Sequence, residues 1–170
     1  MKNDFAYINA FKGLVIFMMD NHELCANIAE VPAIIKPEEL KKYFNLYSKD
    51  SQNVKQHSSN FPVVDAGTFF RYGTGDLTAD SRMLLIKCDK MIFALCAEKV
   101  LEIITLNSKN GENCLEFTPS EDDSFMMGMI RYEDKTWLLP DFTRISSELQ
   151  SGLSPCFADL NGNAGRLKLQ

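Results

Sequence analysis

The strongest constraint on this chain is that part of it occurs twice. The stretch Met83–Leu106, MLLIKCDKMIFALCAEKVLEIITL, reads as two short strands, Met83–Cys88 and Met91–Cys96, joined by a tight Asp89-Lys90 turn. Short apolar runs on either side of a polar two-residue turn are the mark of a β-hairpin. A helical turn near Glu98–Val100 and a return strand at Leu101–Leu106 are expected to follow. Moved back by 69 positions, its first 22 residues, Met83–Ile104, lie without a gap on Leu14–Ile35, LVIFMMDNHELCANIAEVPAII. Val15, Ile16 and Phe17 fall under Leu84, Leu85 and Ile86, and Asp20 falls under Asp89 at the turn. Leu24 falls under Phe93, Val31 under Val100, and Ile34-Ile35 under Ile103-Ile104. A second match, Phe61-Pro62-Val63-Val64-Asp65 with Trp137-Leu138-Leu139-Pro140-Asp141, has an offset of 76, as a longer loop in the second copy would give. Self-similarity in this order predicts two small β units, each with a hairpin, a short helix and a return strand.

Around these units the pattern is plainer. Phe5, Ile8 and Phe11 have helical spacing in Met1–Lys12. Pro37 opens a helical run over Glu38–Phe44, with Glu at its start and Lys at its end, as the helix dipole favours. Tyr47–Asn60 is a polar loop, and Pro62 suits Phe61–Asp65 to an edge of a sheet. Gly73-Thr74-Gly75-Asp76 lacks the third glycine and the following helix of a phosphate loop and reads as a linker. Asn107–Ser124 is a long polar loop interrupted by Cys114–Phe117. Phe125–Arg131 and Thr136–Leu139 form a hairpin around Glu133-Asp134, with Trp137 in the core. Phe142, Ile145 and Leu149 share one face of a helix over Phe142–Leu149, and Ser151–Gln170 reads as a tail.

The residues offer enzyme chemistry little. Cys25, His57 and Asp65 supply the residue types of a nucleophile, base and orienting acid, but Cys25 is expected on a core strand. His22-Glu23 starts like a zinc-protease motif, yet Ala26 stands where the second His is required. Glu121-Asp122-Asp123 could face a hard cation, but without a turn glycine at the needed spacing it reads as a solvated loop tip. No catalytic residue, cofactor or metal is therefore expected. A net charge of −5 and the lack of a basic run speak against nucleic acid. Five cysteines without a CxxC pair, three of them in apolar strands, suit a reducing compartment. Gly13–Met19 is too short to span a bilayer, and Asp20–Glu23 after it is no cleavage site. A cytoplasmic protein without membrane insertion is expected.

The order of these segments resembles the CheW family of chemotaxis adaptors. Phe93–Ile103, in which an apolar strand runs through Glu98 into Val100-Leu101-Glu102-Ile103, is similar to the family's V-x-(D/E)-(V/I) pattern. Phe61–Asp65 is similar to its P-(I/V)-V-D-L segment, and Met126–Met129 with Glu133–Leu139 to its Y-(L/I)-x-G segment and final strand. The likeness spans about Leu14–Ser147. Two positions depart from the family. The Arg of its N-L-R-G motif corresponds to His57 in Lys55-Gln56-His57-Ser58, and the acid of the first V-x-E-I corresponds to Ala33. If His57 keeps the role of that Arg, its contact is expected to be weaker and to change with pH near about 6.5.

The resemblance implies a mainly β fold: two SH3-like five-stranded barrels packed side by side, with short helices. Residues 1–170 would form one domain, with subdomains at about 14–70 and 80–147, a tail at 151–170, and an apolar seam holding the pair. It implies a non-enzymatic adaptor joining a chemoreceptor's cytoplasmic tip to a histidine kinase's regulatory domain, with Val31, Ala33, Ile34 and His57 at the partner surface. One alternative keeps the fold and serves a signalling or assembly partner outside chemotaxis. A third reading, a small enzyme or ligand-binding protein, requires a deep polar cleft between the lobes.

Overall fold

The computed structural model describes residues 4–40, 63–65, 77–89, 91–107, 113–122 and 125–151. Within them lie helix α1 (Asp4–Asn9) and strands β1 (Gly13–Met19), β2 (His22–Asn27), β3 (Ala33–Ile35), β4 (Val63–Asp65) and β5 (Arg82–Cys88). Strands β6 (Met91–Ala97), β7 (Lys99–Thr105), β8 (Glu116–Pro119), β9 (Met126–Tyr132) and β10 (Lys135–Pro140) follow, and helix α2 (Phe142–Ser151) comes last. Turns of 3-10 helix occupy Ile28–Glu30 and Pro37–Glu39. The architecture is mainly β, as expected, in two sheets of order β7-β1-β2-β10-β9-β8 and β3-β5-β6-β4. No helix among the described residues is long and apolar enough to cross a membrane.

The repeat governs the strand pairing. Adding 69 to each residue turns the β1–β2 ladder into the β5–β6 ladder: Leu14↔Asn27 becomes Met83↔Cys96, Phe17↔Leu24 becomes Ile86↔Phe93, and Met19↔His22 becomes Cys88↔Met91. The turns correspond too. Asp20 and Asn21 have φ of 46° and 60°, as a two-residue hairpin loop requires, and Asp89 has φ of 52°. The parallel additions agree as well. Moving Leu138↔Leu24 on by one residue, then shifting by 76 and 69, gives the observed pair Val63↔Ala94.

The return strands keep the register but change sheets. On β5, Ala33, Ile34 and Ile35 of β3 face Leu85, Leu84 and Met83. On β1, Glu102, Ile103 and Ile104 of β7 face Ile16, Val15 and Leu14, the same positions less 69. Each hairpin thus receives the return strand of the other copy. The described strands fall into sheets of six and four, and each sheet draws on both halves of the sequence. The connections explain it. β2 is flanked by β1 and β10, so β3 could reach its own hairpin only at the far edge of β1. That would mean crossing over the hairpin, which the short link at Ile28–Pro32 does not do.

A correction concerns Glu98–Val100, where a helical turn was expected. β6 ends at Ala97, and β7 starts at Lys99 after a single bend. Glu98 is engaged elsewhere: its backbone N–H donates to the Met18 carbonyl at 3.0 Å, and its carboxylate accepts from the Asp20 N–H at 2.6 Å. The helical turn forms only in the first copy, where the Asn27 side chain accepts from the Ala29 N–H at 3.2 Å and caps it.

Among the described residues the apolar side chains form three clusters. The largest is the seam, where Val15, Phe17, Leu24 and Ala26 of one sheet join Leu84, Ile86, Phe93 and Leu95 of the other, with Phe142, Ile145 and Leu149 of α2. A second, around Trp137, Leu14, Ile16 and Cys25, is closed by Ile8 and Phe11 from the α1 region. The third packs Ile35, Leu40 and Val63 on the outer face of the four-stranded sheet. Strands such as β1 are therefore buried on both sides, which accounts for the unbroken run Leu14–Phe17. The six-stranded sheet curls enough for Lys135 Nζ on β10 to reach Glu102 on β7 at 2.7 Å. Gly128 lets β9 lie close to β8, since a Cβ there would sit 2.2 Å from the Thr118 carbonyl oxygen. β8 was expected only as an interruption of a loop; with Pro119 it takes the outer position, where a missing N–H matters least.

Asn113 ties α1 down. Its buried side-chain amide donates to the carbonyls of Ile8, Asn9 and Phe11 at 2.8, 3.2 and 3.1 Å. Asn113→Ala would leave those carbonyls without this donor, with an expected loss of about 1–3 kcal/mol in urea unfolding. Asn113→Asp should lose at least as much, because a carboxylate would face carbonyl oxygens. Unchanged unfolding in both variants would refute the cap.

Candidate functional site

The partner-surface residues expected from the sequence lie where the chain leaves one sheet for the other. The 3-10 turn at Ile28–Glu30 ends at Val31, whose N–H donates to the Ile28 carbonyl at 3.2 Å. Val31 is buried and belongs to the seam cluster. Pro32 is exposed, and its ring restricts the backbone just before β3. Ala33 and Ile34 are half-buried: Ala33 packs toward the cluster around Leu85, and Ile34 toward the seam. β3 pairs only with β5 among the described strands, and two of its apolar side chains are half-covered. His57 lies outside the described residues.

Reasoning from sequence missed the counterpart of this edge. By the repeat, β7 is to β1 what β3 is to β5, and it is the outer strand of its own sheet. Its apolar side chains are more open, with Leu101 38% and Ile103 56% exposed. The signal was available in the offset of 69, which places Val100, Glu102 and Ile103 on Val31, Ala33 and Ile34.

Cys25 and Asp65, the described members of the catalytic alternative, lie in different sheets. Cys25 is fully buried in the Trp137 cluster, and burial pushes its thiol well above the ordinary range, the reverse of what activates a nucleophile. Asp65 lies on β4 in the other sheet, and His57 is outside the described residues. Glu23 accepts a hydrogen bond from the Trp137 indole at 3.1 Å, while His22 Nδ1 lies 2.7 Å from the Asp20 carbonyl oxygen. Asp122 accepts from the Ser120 hydroxyl at 2.8 Å, and Asp123 is outside the described residues. Of the described cysteines, Cys25 and Cys88 are buried, Cys96 is half-buried and Cys114 is exposed. What the described surface offers is two outer strands with apolar side chains, which suits recognition of protein.

Comparison with known proteins agrees. The scaffolding protein TtCheW from Thermoanaerobacter tengcongensis has a similar fold, with a TM-score of 0.51 at 19% identity over 76% of this chain and 83% of that one. The comparison with curated proteins found no match. A family model described as the CheW-like domain matches residues 13–150, from the first residue of β1 into the last turn of α2. Since that span holds all ten described strands and most of the chain, the protein belongs to the CheW-like domain family.

Proposed function

We infer that the protein is a non-enzymatic adaptor in chemotaxis-type signalling, joining a chemoreceptor's cytoplasmic tip to the regulatory domain of a histidine kinase in the cytoplasm. The observation that carries this reading is the reciprocal strand exchange. It leaves β3 and β7 as equivalent outer strands among the described residues, with half-covered apolar side chains on β3 and exposed ones on β7, on two sheets that share the seam. A bridge needs two docking edges held in a fixed relation, and apolar surface with a polar rim is what such edges use. Val31, Ala33 and Ile34, with His57, form the first contact set in this reading, and Leu101 and Ile103 belong to the second.

Family membership supports the adaptor role. The replacements at Ala33 and His57 favour one further reading, a CheW-like module whose partner lies outside chemotaxis. A binding titration separates the two. The protein should bind a chemoreceptor cytoplasmic-tip fragment or a histidine-kinase regulatory domain. Ala33→Arg, which sets a charge beside half-buried apolar groups, should weaken that binding about tenfold or more. Binding to neither probe by the unaltered protein would leave the second reading standing and end the first.

A further inference from the structure

We propose that α1 is a brace for the docking segment, and that Tyr7 is the positioning residue through which it acts. The proposal rests on the reading of Val31–Ile34 as a partner surface and adds an element that the family match, which begins at residue 13, does not include. The Tyr7 hydroxyl lies 2.7 Å from both carboxylate oxygens of Glu30, the last residue of the 3-10 turn and the neighbour of Val31. Burial, and then the Glu30 carboxylate, hold the Tyr7 phenol above its ordinary range, so it remains a donor at any physiological pH. The donor itself is held in place. Its ring meets the Phe11 ring edge-on at 5.0 Å, Phe11 and Ile8 are buried in the Trp137 cluster, and Asn113 holds the carbonyls at the end of the helix.

Position is therefore transmitted in short steps. The core fixes Ile8 and Phe11, which fix the Tyr7 ring, and its hydroxyl fixes Glu30. Glu30 is one residue from Val31, and Pro32 removes backbone freedom between there and Ala33. Charge-assisted hydrogen bonds to a carboxylate are stronger than neutral ones, which suits this link to setting a conformation. In the second copy the repeat places Lys99 rather than a carboxylate at the position of Glu30, and Glu98 holds that crossing to the Asp20 turn. The brace thus makes the two equivalent edges different. The β3 edge is set from outside the repeat, and the β7 edge from within it.

The test uses the full chain and Tyr7→Phe, which keeps the ring and removes only the hydroxyl. Hydrogen exchange of residues 27–35 should rise about fivefold, with β5 and β6 unchanged. Affinity for whichever probe binds the unaltered protein, the chemoreceptor tip fragment or the kinase regulatory domain, should fall by a similar factor. Glu30→Gln keeps an acceptor oxygen and should give smaller changes in both measurements. Unchanged exchange at 27–35 in Tyr7→Phe, or an equal rise across all strands, overturns the brace. Increased local exchange with unaltered affinity overturns its role in docking. If the unaltered protein binds neither probe while local exchange still rises, the brace stands and the adaptor reading fails.

Discussion

Cut at residue 77 into two polypeptides, the protein is expected to lose its fold in each piece and to regain it on mixing. A duplicated architecture would ordinarily suggest the opposite, since each copy of a repeat looks like a unit. The exchange of return strands removes that independence. The first piece would keep β1 and β2 but lose β7 and β10 from either side of them, and its β3 would have no β5. The second would keep β5 and β6 without β3 and β4. Each would also expose its half of the seam, and an isolated hairpin is at best marginally stable in water. Circular dichroism of each piece alone should show no cooperative melt. Mixing should restore one, with the emission of Trp137, the only tryptophan, shifting to the blue as it enters its cluster. A monomeric first piece with a cooperative melt of its own would show that the exchange is dispensable.

What could be read beforehand was whatever the local pattern determines. The hairpins were legible because Asp20 and Asp89 stand in the same place between apolar runs, and their ladders proved to share the offset already visible in the letters. The face of α2 was legible from the spacing of Phe142, Ile145 and Leu149. Partner choice between strands was not. Ile34 on β5 and Ile34 on its own hairpin would need the same sequence, and only the crowding of β2 by β10 decides between them. Glu98 misled for a similar reason, because its hydrogen-bond partners, the Met18 carbonyl and the Asp20 N–H, lie on the first hairpin. Asn113 and the end of α1 are over a hundred positions apart, a separation at which periodicity says nothing. In the candidate site, the resemblance supplied Val31, Ala33 and Ile34, while the matching edge on β7 followed only from its outer place among the described strands.

Phe93→Ala should remove about 3–5 kcal/mol, the usual range for deleting a fully buried aromatic side chain, and so a large share of the roughly 5–15 kcal/mol that holds a domain of ordinary stability. Phe93 is fully buried at the seam, where its ring lies 6.2 Å from that of Phe142. The repeat shows why this position carries so much. Phe93 pairs with Ile86, and its equivalent Leu24 pairs with Phe17, so each cross-strand pair holds one ring and one aliphatic side chain in opposite order. Both pairs enter the same cluster. Truncating one ring opens a cavity that both sheets and α2 border. Restoring the volume in the other order, with Ile86→Phe and Phe93→Leu combined, copies the arrangement of the first hairpin and should cost less than about 1.5 kcal/mol. Because the seam joins the sheets, the Phe93→Ala protein should melt in a single transition at lower temperature. Trp137 fluorescence, which reports the separate cluster of the six-stranded sheet, should coincide with far-ultraviolet dichroism. Two separated transitions in that variant, with Trp137 still buried after the first, would mean that the seam packs the two sheets together without making them one cooperative unit.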